Sequence, residues 1–186
     1  MKIIFLDIDG VLNGYNFLEY FGWGLVCRIK NEKLKDWYRR KTDVCGIHKR
    51  KVKRLAKIVK RTNAKVVLSS SWRFAYWNIP HKDKSGDLKK LYDLFFEYNI
   101  EVIGITGKTK EGKRDEEILT WLSSRNNIKN FVILDDENSF LKYFWDNPCF
   151  IQTSSVPNGK LIEGCWRENT GLKRKHVNAA IKYLNN

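Results

Sequence analysis

Long apolar runs, paired cysteines and internal repeats are all missing from the sequence. No apolar run approaches the roughly 20 residues of a membrane-spanning helix, and the N-terminal run is too short for a signal peptide. The four cysteines include no Cys-x-x-Cys pair, which argues against a structural zinc site, and disulfides are improbable in a reducing compartment. No repeat or linker divides the 186 residues. We therefore expect one soluble, cytoplasmic domain without a membrane segment, whose oligomeric state stays open.

Acidic residues are scarce in one part of the chain. Between Arg28 and Lys65, 16 Lys and Arg stand against 3 Asp and Glu, whereas the whole chain has 35 against 21. These 38 residues therefore carry +13 of the net charge of +14. So localised an excess indicates a polyanionic partner such as a nucleic acid, and a solvated helix face is the alternative. The candidate nucleic-acid contacts are Arg39, Arg40, Lys41, Lys49, Arg50 and Lys53.

Short apolar runs alternate with amphipathic segments along the chain. The runs predict buried strands at Lys2–Leu6, Lys65–Leu68, Glu101–Ile105, Phe131–Leu134 and Cys149–Gln152. The amphipathic segments predict helices at His48–Thr62, at Asp87–Tyr98 with Asp87 as N-cap, at Asp115–Ser123 and at Lys173–Leu184. This alternation predicts an α/β fold, a Rossmann-like three-layer sandwich around a mostly parallel five-stranded sheet.

One segment interrupts this alternation. Residues 13–46 combine glycines, many aromatic side chains and the start of the basic stretch. We expect a small flap or cap insert there, helical in part around 31–40, within a single domain of residues 1–186. Its aromatic side chains could form a small satellite core or a platform on which bases stack, and both interpretations stay open.

Unusual polar sequences, Asp-x-Asp, Ser-Ser-Ser and Asp-Asp, follow three of the five predicted strands. Asp7 and Asp9 follow the first strand, Ser69–Ser71 the second, and Asp135 and Asp136 the fourth. Ligands of such sheets bind beyond the carboxyl ends of the strands, so these side chains should meet. Crowded carboxylates repel each other unless a cation lies between them, and oxygen ligands suit Mg²⁺. The four aspartates are therefore candidate metal ligands.

The same residue types suit phosphoryl transfer. A carboxylate can attack phosphorus and form an aspartyl phosphate, while Mg²⁺ neutralises the phosphate charge. Ser69 or Ser70 can donate a hydrogen bond to the phosphoryl oxygens. A cation from Lys113 or Arg114, near the start of a predicted helix, can stabilise developing charge.

Four motifs in order resemble one family of enzymes. The run Asp7-Ile8-Asp9-Gly10-Val11-Leu12 resembles motif I of the haloacid dehalogenase (HAD) superfamily. The later runs at 66–73, 112–122 and 132–137 resemble motifs II, III and IV of the branch described as the HAD domain of "Swiss Army knife" RNA-repair proteins. The likeness covers almost the full chain, although Asp115 follows the motif III cation where this branch usually has glycine.

The resemblance implies a HAD-like fold and roles for particular residues. Asp7 would be the nucleophile, and Asp9 the general acid and base, with its backbone carbonyl also meeting the metal. Counting back from Trp72 selects Ser70 as the motif II serine, whereas ending the strand at Leu68 selects Ser69. For motif III, Arg114 is favoured over Lys113. In motif IV, Asp135 would bind Mg²⁺ with Asp136 in support.

The sequence therefore predicts a Mg²⁺-dependent phosphomonoesterase. Its phosphorylated substrate would be a nucleic-acid end or a nucleotide. The alternatives are a catalytically silent nucleic-acid-binding module with the same fold and a phosphatase of small metabolites. The intact pair Asp7 and Asp9 argues against the silent module, which would have no need of both acids.

Overall fold

A five-stranded parallel sheet forms the centre of the structure. The computed structural model describes residues 1–13, 31–34, 46–137, 141–153 and 171–186. The strands are β1 Lys2–Leu6, β2 Lys65–Leu68, β3 Val102–Ile105, β4 Asn130–Asp135 and β5 Phe150–Gln152. They lie in the order β3-β2-β1-β4-β5, and every neighbouring pair is parallel. The prediction of an α/β fold with a parallel five-stranded sheet is confirmed.

The four predicted helices are present, and short helical segments are added. Their bounds are α1 Lys49–Thr62, α2 Arg73–Asn78, α3 Gly86–Glu97, α4 Arg114–Ser123 and α5 Arg174–Asn185. The additions are α2 and a 3₁₀ turn at His81–Asp83, both directly downstream of the serine run. Among the described residues, no helix is both long and apolar enough to span a bilayer.

The predicted N-cap of α3 is wrong. The helix begins at Gly86, and the capping position belongs to Ser85, whose side chain makes no capping hydrogen bond. Asp87 therefore lies inside the first turn. Its Oδ1 accepts a hydrogen bond from the backbone N–H of Ile47 at 3.3 Å. The carboxylate thus holds the segment that leads into α1 instead of closing the start of its own helix.

Alternate residues of β1 face two separate hydrophobic layers. Ile4 and Leu6 pack in a cluster that also contains apolar side chains from α1, α3 and α5. Ile3 and Phe5 point to the opposite face, where the ring of Phe5 meets Trp121 of α4 edge-on at 5.4 Å. Because helices cover both faces, the fold is the predicted three-layer sandwich.

The order of the strands creates a switch point between β1 and β4. From β1 the chain moves outward to β2 and β3, and it then crosses to β4 on the other side of β1. Loops that leave the carboxyl ends of β1 and β4 therefore diverge, and the crevice between them is where ligands of such sheets bind.

The predicted insert at 13–46 lies almost wholly outside the described residues. Within it, residues 13, 31–34 and 46 are described, and 32–34 are helical. Three of the six candidate nucleic-acid contacts, Arg39, Arg40 and Lys41, fall outside the described residues as well. The flap and its contacts with substrate stay predictions.

Candidate active site

Each of the five strands ends at a buried polar side chain. Four of these residues extend the hydrogen bonding of the sheet, because their backbone N–H groups donate to carbonyls of the neighbouring strand at 2.9–3.0 Å. They are Asp7, Ser69, Thr106 and Thr153. Asp135 is itself the last residue of β4. All five side chains are at most 4% exposed. They therefore form a row along the carboxyl edge of the sheet. Thr106 and Thr153 were not among the predicted residues, although each is the first polar residue after its strand.

Three aspartates cluster at the switch point. Carboxylate oxygens of Asp7, Asp135 and Asp136 all lie within 4.8 Å of one another. Burial and the nearby charge of Asp135 raise the pKa of Asp7 well above its usual value. Burial also raises the pKa of Asp135, and burial together with Asp135 raises the pKa of Asp136 to about 6. Three crowded carboxylates, two of them buried and one partly buried, fit a hard divalent cation such as Mg²⁺.

Among the described residues, Arg114 is the cation that contacts this cluster. Its Nη1 donates to Oδ2 of Asp135 and lies 3.5 Å from Oδ1 of Asp7. These two partners raise the pKa of Arg114 against the opposing effect of burial, so the guanidinium stays charged. As the first residue of α4, Arg114 is carried to the cluster by the start of that helix.

Lys113, one residue earlier, points elsewhere. Its Nζ pairs with Glu111 and lies 3.4 Å from Glu116, and half of its side chain is exposed. These glutamates raise the pKa of Lys113, chiefly through the hydrogen bond to Glu111. Of the two cations left open by the sequence, the structure brings only Arg114 into contact with the aspartates.

The two candidate serines differ in what their hydroxyl groups contact. Leu6 pairs with Leu68, so Asp7 and Ser69 lie side by side just beyond the paired strands. The hydroxyl of Ser69 is buried and has no hydrogen-bond partner among the described residues. The Ser70 hydroxyl instead accepts a hydrogen bond from the backbone N–H of Trp72 at 3.3 Å. Ser69 therefore keeps a free donor beside Asp7.

Asp9 stands apart from the carboxylate cluster, at the exposed mouth of the site. Its Oδ1 accepts a hydrogen bond from Nδ2 of Asn13 at 2.7 Å, and its Oδ2 accepts one from Nε1 of Trp72 at 2.9 Å. Asn13 is fixed in turn, because its Oδ1 accepts from the N–H of Gly10 and its carbonyl accepts from Nζ of the buried Lys51. The carboxylate is thus held in place while solvent and ligand can reach it.

The C-terminal segment supports the turn that carries Asp9. Thr153 donates its hydroxyl to the carbonyl of Gly10 at 2.8 Å, and Leu172 donates its N–H to the carbonyl of Val11 at 2.9 Å. Gly171, at φ +60°, approaches so closely that an added Cβ would lie 2.7 Å from the carbonyl oxygen of Val11. Only glycine fits there without displacing the motif I turn.

A buried ion pair lies behind Arg114. The guanidinium of Arg73 contacts Oε1 of Glu117 at 2.8 Å, and both side chains are less than a tenth exposed. Arg73 also donates to the backbone carbonyls of Ser70 and Thr106 at 2.9 and 3.1 Å. Because Glu117 lies one turn after Arg114 on α4, the pair fixes the start of this helix against the turns after β2 and β3. Neither residue of the pair was predicted to have a role.

The three described residues of the candidate nucleic-acid surface lie on α1. Lys49, Arg50 and Lys53 are exposed near its first turn. His48, the residue before this helix, donates its N–H to the carbonyl of Leu12, and this hydrogen bond holds the start of α1 beside the motif I turn. Lys49 pairs with Glu97 at 2.7 Å, and its Nζ lies 5.7 Å from the ring centre of Tyr98. The surface is therefore close to the site, and part of its charge is already balanced.

The fold and the site together define a HAD-type α/β domain, in which an Asp-x-Asp turn follows the first strand of a parallel sheet. Residues 3–157 match the family described as the HAD domain in Swiss Army Knife RNA repair proteins, and the chain belongs to that family. Searches of curated proteins and of solved structures gave no match. Membership of the family suggests a hydrolase with phosphatase chemistry in RNA repair, and HAD domains typically use Mg²⁺.

Proposed function

We propose that the chain is a Mg²⁺-dependent phosphomonoesterase that works through an aspartyl phosphate on Asp7 and acts on nucleic-acid ends or nucleotides. The observation that carries this proposal is the buried cluster of Asp7, Asp135 and Asp136, in contact with Arg114 at the switch point. A buried carboxylate beside a charged arginine and a free serine hydroxyl suits attack on a phosphoryl group.

The first step transfers the phosphoryl group to Asp7. An oxygen of its carboxylate attacks phosphorus, the bond from phosphorus to the leaving oxygen breaks, and Asp9 gives that oxygen a proton. Asp9 suits this role because it is exposed at the mouth and held by Asn13 and Trp72. Arg114 and Ser69 donate to the phosphoryl oxygens as charge develops.

The second step releases phosphate. Asp9, now a carboxylate, takes a proton from water, and the water oxygen attacks phosphorus. The bond from phosphorus to Asp7 breaks, which restores both aspartates to their starting states. Asp7, Asp135 and Asp136 are the residues that would hold Mg²⁺, with the backbone carbonyl of Asp9. The bound ion supplies charge neutralisation and orients the phosphoryl group.

The proposed substrate class is supported by the distribution of charge along the chain and by the description of its family. The +13 excess between residues 28 and 65 includes α1, whose first turn adjoins the mouth of the site. Lysine and arginine side chains there suit phosphates of a polymer without reading its sequence. The family description places related domains in RNA-repair proteins. A phosphatase of small metabolites would need neither feature.

A phosphate-release screen tests the proposal. Substrates would be oligonucleotides with a 5′ or a 3′ phosphate, mononucleotides and sugar phosphates, each with Mg²⁺ and with a chelator. We expect release from the nucleotide substrates only with Mg²⁺, and a loss of roughly 10⁴-fold or more in Asp7→Asn. Wild-type turnover in that variant would overturn the mechanism. Nucleic-acid binding without release from any substrate would favour the silent module instead.

A further inference from the structure

A cavity adjoins the candidate active site. It has a volume of about 450 Å³ and lies between the turn after β2 and the loop that joins β3 to α4. We call it the β3–α4 pocket and define it by Ser71, Arg73, Lys108, Thr109, Lys110 and Arg114 among its lining residues. Arg114 belongs to both the pocket and the aspartate cluster, so a group bound here is a neighbour of the group at Asp7.

The side chains of the pocket favour an anion. Its two acids are already paired, Glu117 with Arg73 and Glu111 with Lys113. Lys108 and Lys110 line the same pocket without an ion pair among the described residues. Nζ of Lys108 is held 5.4 Å from the ring centre of Phe74. The pocket therefore keeps an uncompensated positive charge next to Arg114.

One lining residue of the pocket, Thr109, has a hydroxyl group that lacks a partner among the described residues. Oγ1 of Thr109 is buried and has no hydrogen bond among the described residues. A buried polar atom of this kind costs free energy unless a ligand or water satisfies it. Two ammonium groups and a hydroxyl group are donors that suit a ligand with several acceptor oxygens, as a phosphate has. The volume also exceeds what one phosphate fills, which leaves room for an attached sugar.

We propose that the β3–α4 pocket is a subsite for a second phosphate of the substrate, adjacent to the one that is hydrolysed and contacted by Lys108, Lys110 and Thr109. The inference rests on the proposed phosphatase function and narrows its substrate class. The second phosphate is either the phosphodiester next to a terminal phosphate in an oligonucleotide or the other phosphate of a nucleoside bisphosphate.

The test compares four substrates in two double variants, one in the pocket and one control. The substrates are an aryl phosphate, a nucleoside monophosphate, a nucleoside bisphosphate and a short oligonucleotide with a terminal phosphate. In Lys108→Ala/Lys110→Ala, kcat/KM for a substrate with two phosphates should fall by about tenfold, roughly one charged contact. For the two substrates with one phosphate, the fall in kcat/KM should be smaller by a factor of at least about five. The matched control is Lys129→Ala/Lys182→Ala, which removes two exposed lysines, Lys129 before β4 and Lys182 on α5.

The possible results distinguish failure of the proposed subsite from failure of the proposed function. A selective loss for the oligonucleotide alone identifies a polymer, and a selective loss for the bisphosphate identifies a free nucleotide. An equal loss for all four substrates, or no loss for any, overturns the subsite. If the wild type hydrolyses none of them, the proposed function fails. Calorimetric binding of the bisphosphate and the monophosphate to the wild type and the double variant then decides the subsite, which is overturned if the variant loses no preference for the bisphosphate.

Discussion

The aspartate cluster and the basic start of α1 are both charged, but the charges of the cluster are largely buried and those of α1 are exposed. In the cluster, the carboxylates lie at or just beyond the end of a strand, are wholly or partly buried, and lie near a second charge that the backbone also positions. On α1, Lys49, Arg50 and Lys53 are exposed side chains at the surface of a helix. The effect of a buried charge depends on where its side chain lies, whereas the effect of exposed charges depends on how many there are and how close they lie to the ligand. Neighbouring residues in the cluster should therefore differ sharply in effect, and residues on α1 should not.

The pair Arg114 and Lys113 should show the largest contrast between neighbours. Arg114→Ala should lower kcat by roughly 10²–10³-fold, the range for removing one group that stabilises transition-state charge. Lys113→Ala should change kcat by less than about threefold, because this side chain points to Glu111 and Glu116. Steady-state phosphate release measures both. An equal loss in Lys113→Ala would mean that the two cations exchange roles when substrate binds.

Asp9 should come next in effect. Asp9→Asn should slow turnover by roughly 10²-fold, as expected for the loss of general acid and base. The loss should be larger for a nucleoside phosphate than for an aryl phosphate, since a good leaving group needs no proton. Comparing kcat for the two esters checks this. A loss of only a few-fold with both esters would show that another residue carries the proton.

Asp135 and Asp136 should differ in their effect on the metal requirement. Asp135 is fully buried, ends β4 and contacts Arg114, whereas Asp136 is only partly buried. Asp135→Ala should raise the Mg²⁺ concentration for half-maximal activity by about tenfold or more, and Asp136→Ala by less. A magnesium titration of both variants gives the ranking. The reverse order would make Asp136 the principal ligand.

The basic start of α1 should show the smallest effects. Reversing Lys49, Arg50 and Lys53 to Glu should weaken oligonucleotide binding and make its log–log salt dependence shallower by about 0.7 for each phosphate that is no longer neutralised. Turnover of an aryl phosphate should stay nearly unchanged. The same number of reversals at Lys57, Lys60 and Arg61, near the other end of α1, is the matched control and should weaken binding less.

The same expectation holds for the part of the basic stretch that precedes α1. Reversing Arg39, Arg40 and Lys41, which lie outside the described residues, should also weaken binding and flatten the salt slope. If oligonucleotide affinity is weak and insensitive to salt in the unaltered protein, the charge is only a solvated face. The contrast between the two regions would then lose its functional meaning.

Strand ends were predictable from the sequence because most of the buried strands are short apolar runs that stop at a polar residue. This rule located Asp7, Ser69 and Asp135, and applied to β3 it would have located Thr106 as well. In β5 the rule stops at Gln152, one residue before Thr153. The parallel arrangement followed from the alternation of strands and helices.

Features that depend on packing across loops were not predictable. The sequence favoured Arg114 but left Lys113 as a competitor, because one residue of helical phase decides which one faces the aspartates. The ion pair of Arg73 with Glu117 joins residues 44 positions apart through α2, a six-residue helix too short to show a period. Asp87 failed as an N-cap because helix boundaries are set by local backbone geometry that composition does not fix.

The most direct test of the proposed mechanism is to trap the phosphorylated aspartate. The protein is mixed with substrate and Mg²⁺, quenched in acid within one turnover, and its peptides are analysed by mass spectrometry. We predict one phosphoryl group on Asp7, none in Asp7→Asn, and more in Asp9→Asn with an aryl phosphate, because the second step then lacks its base. Turnover without a phosphoryl group on Asp7, or with one on a different residue, would contradict the mechanism.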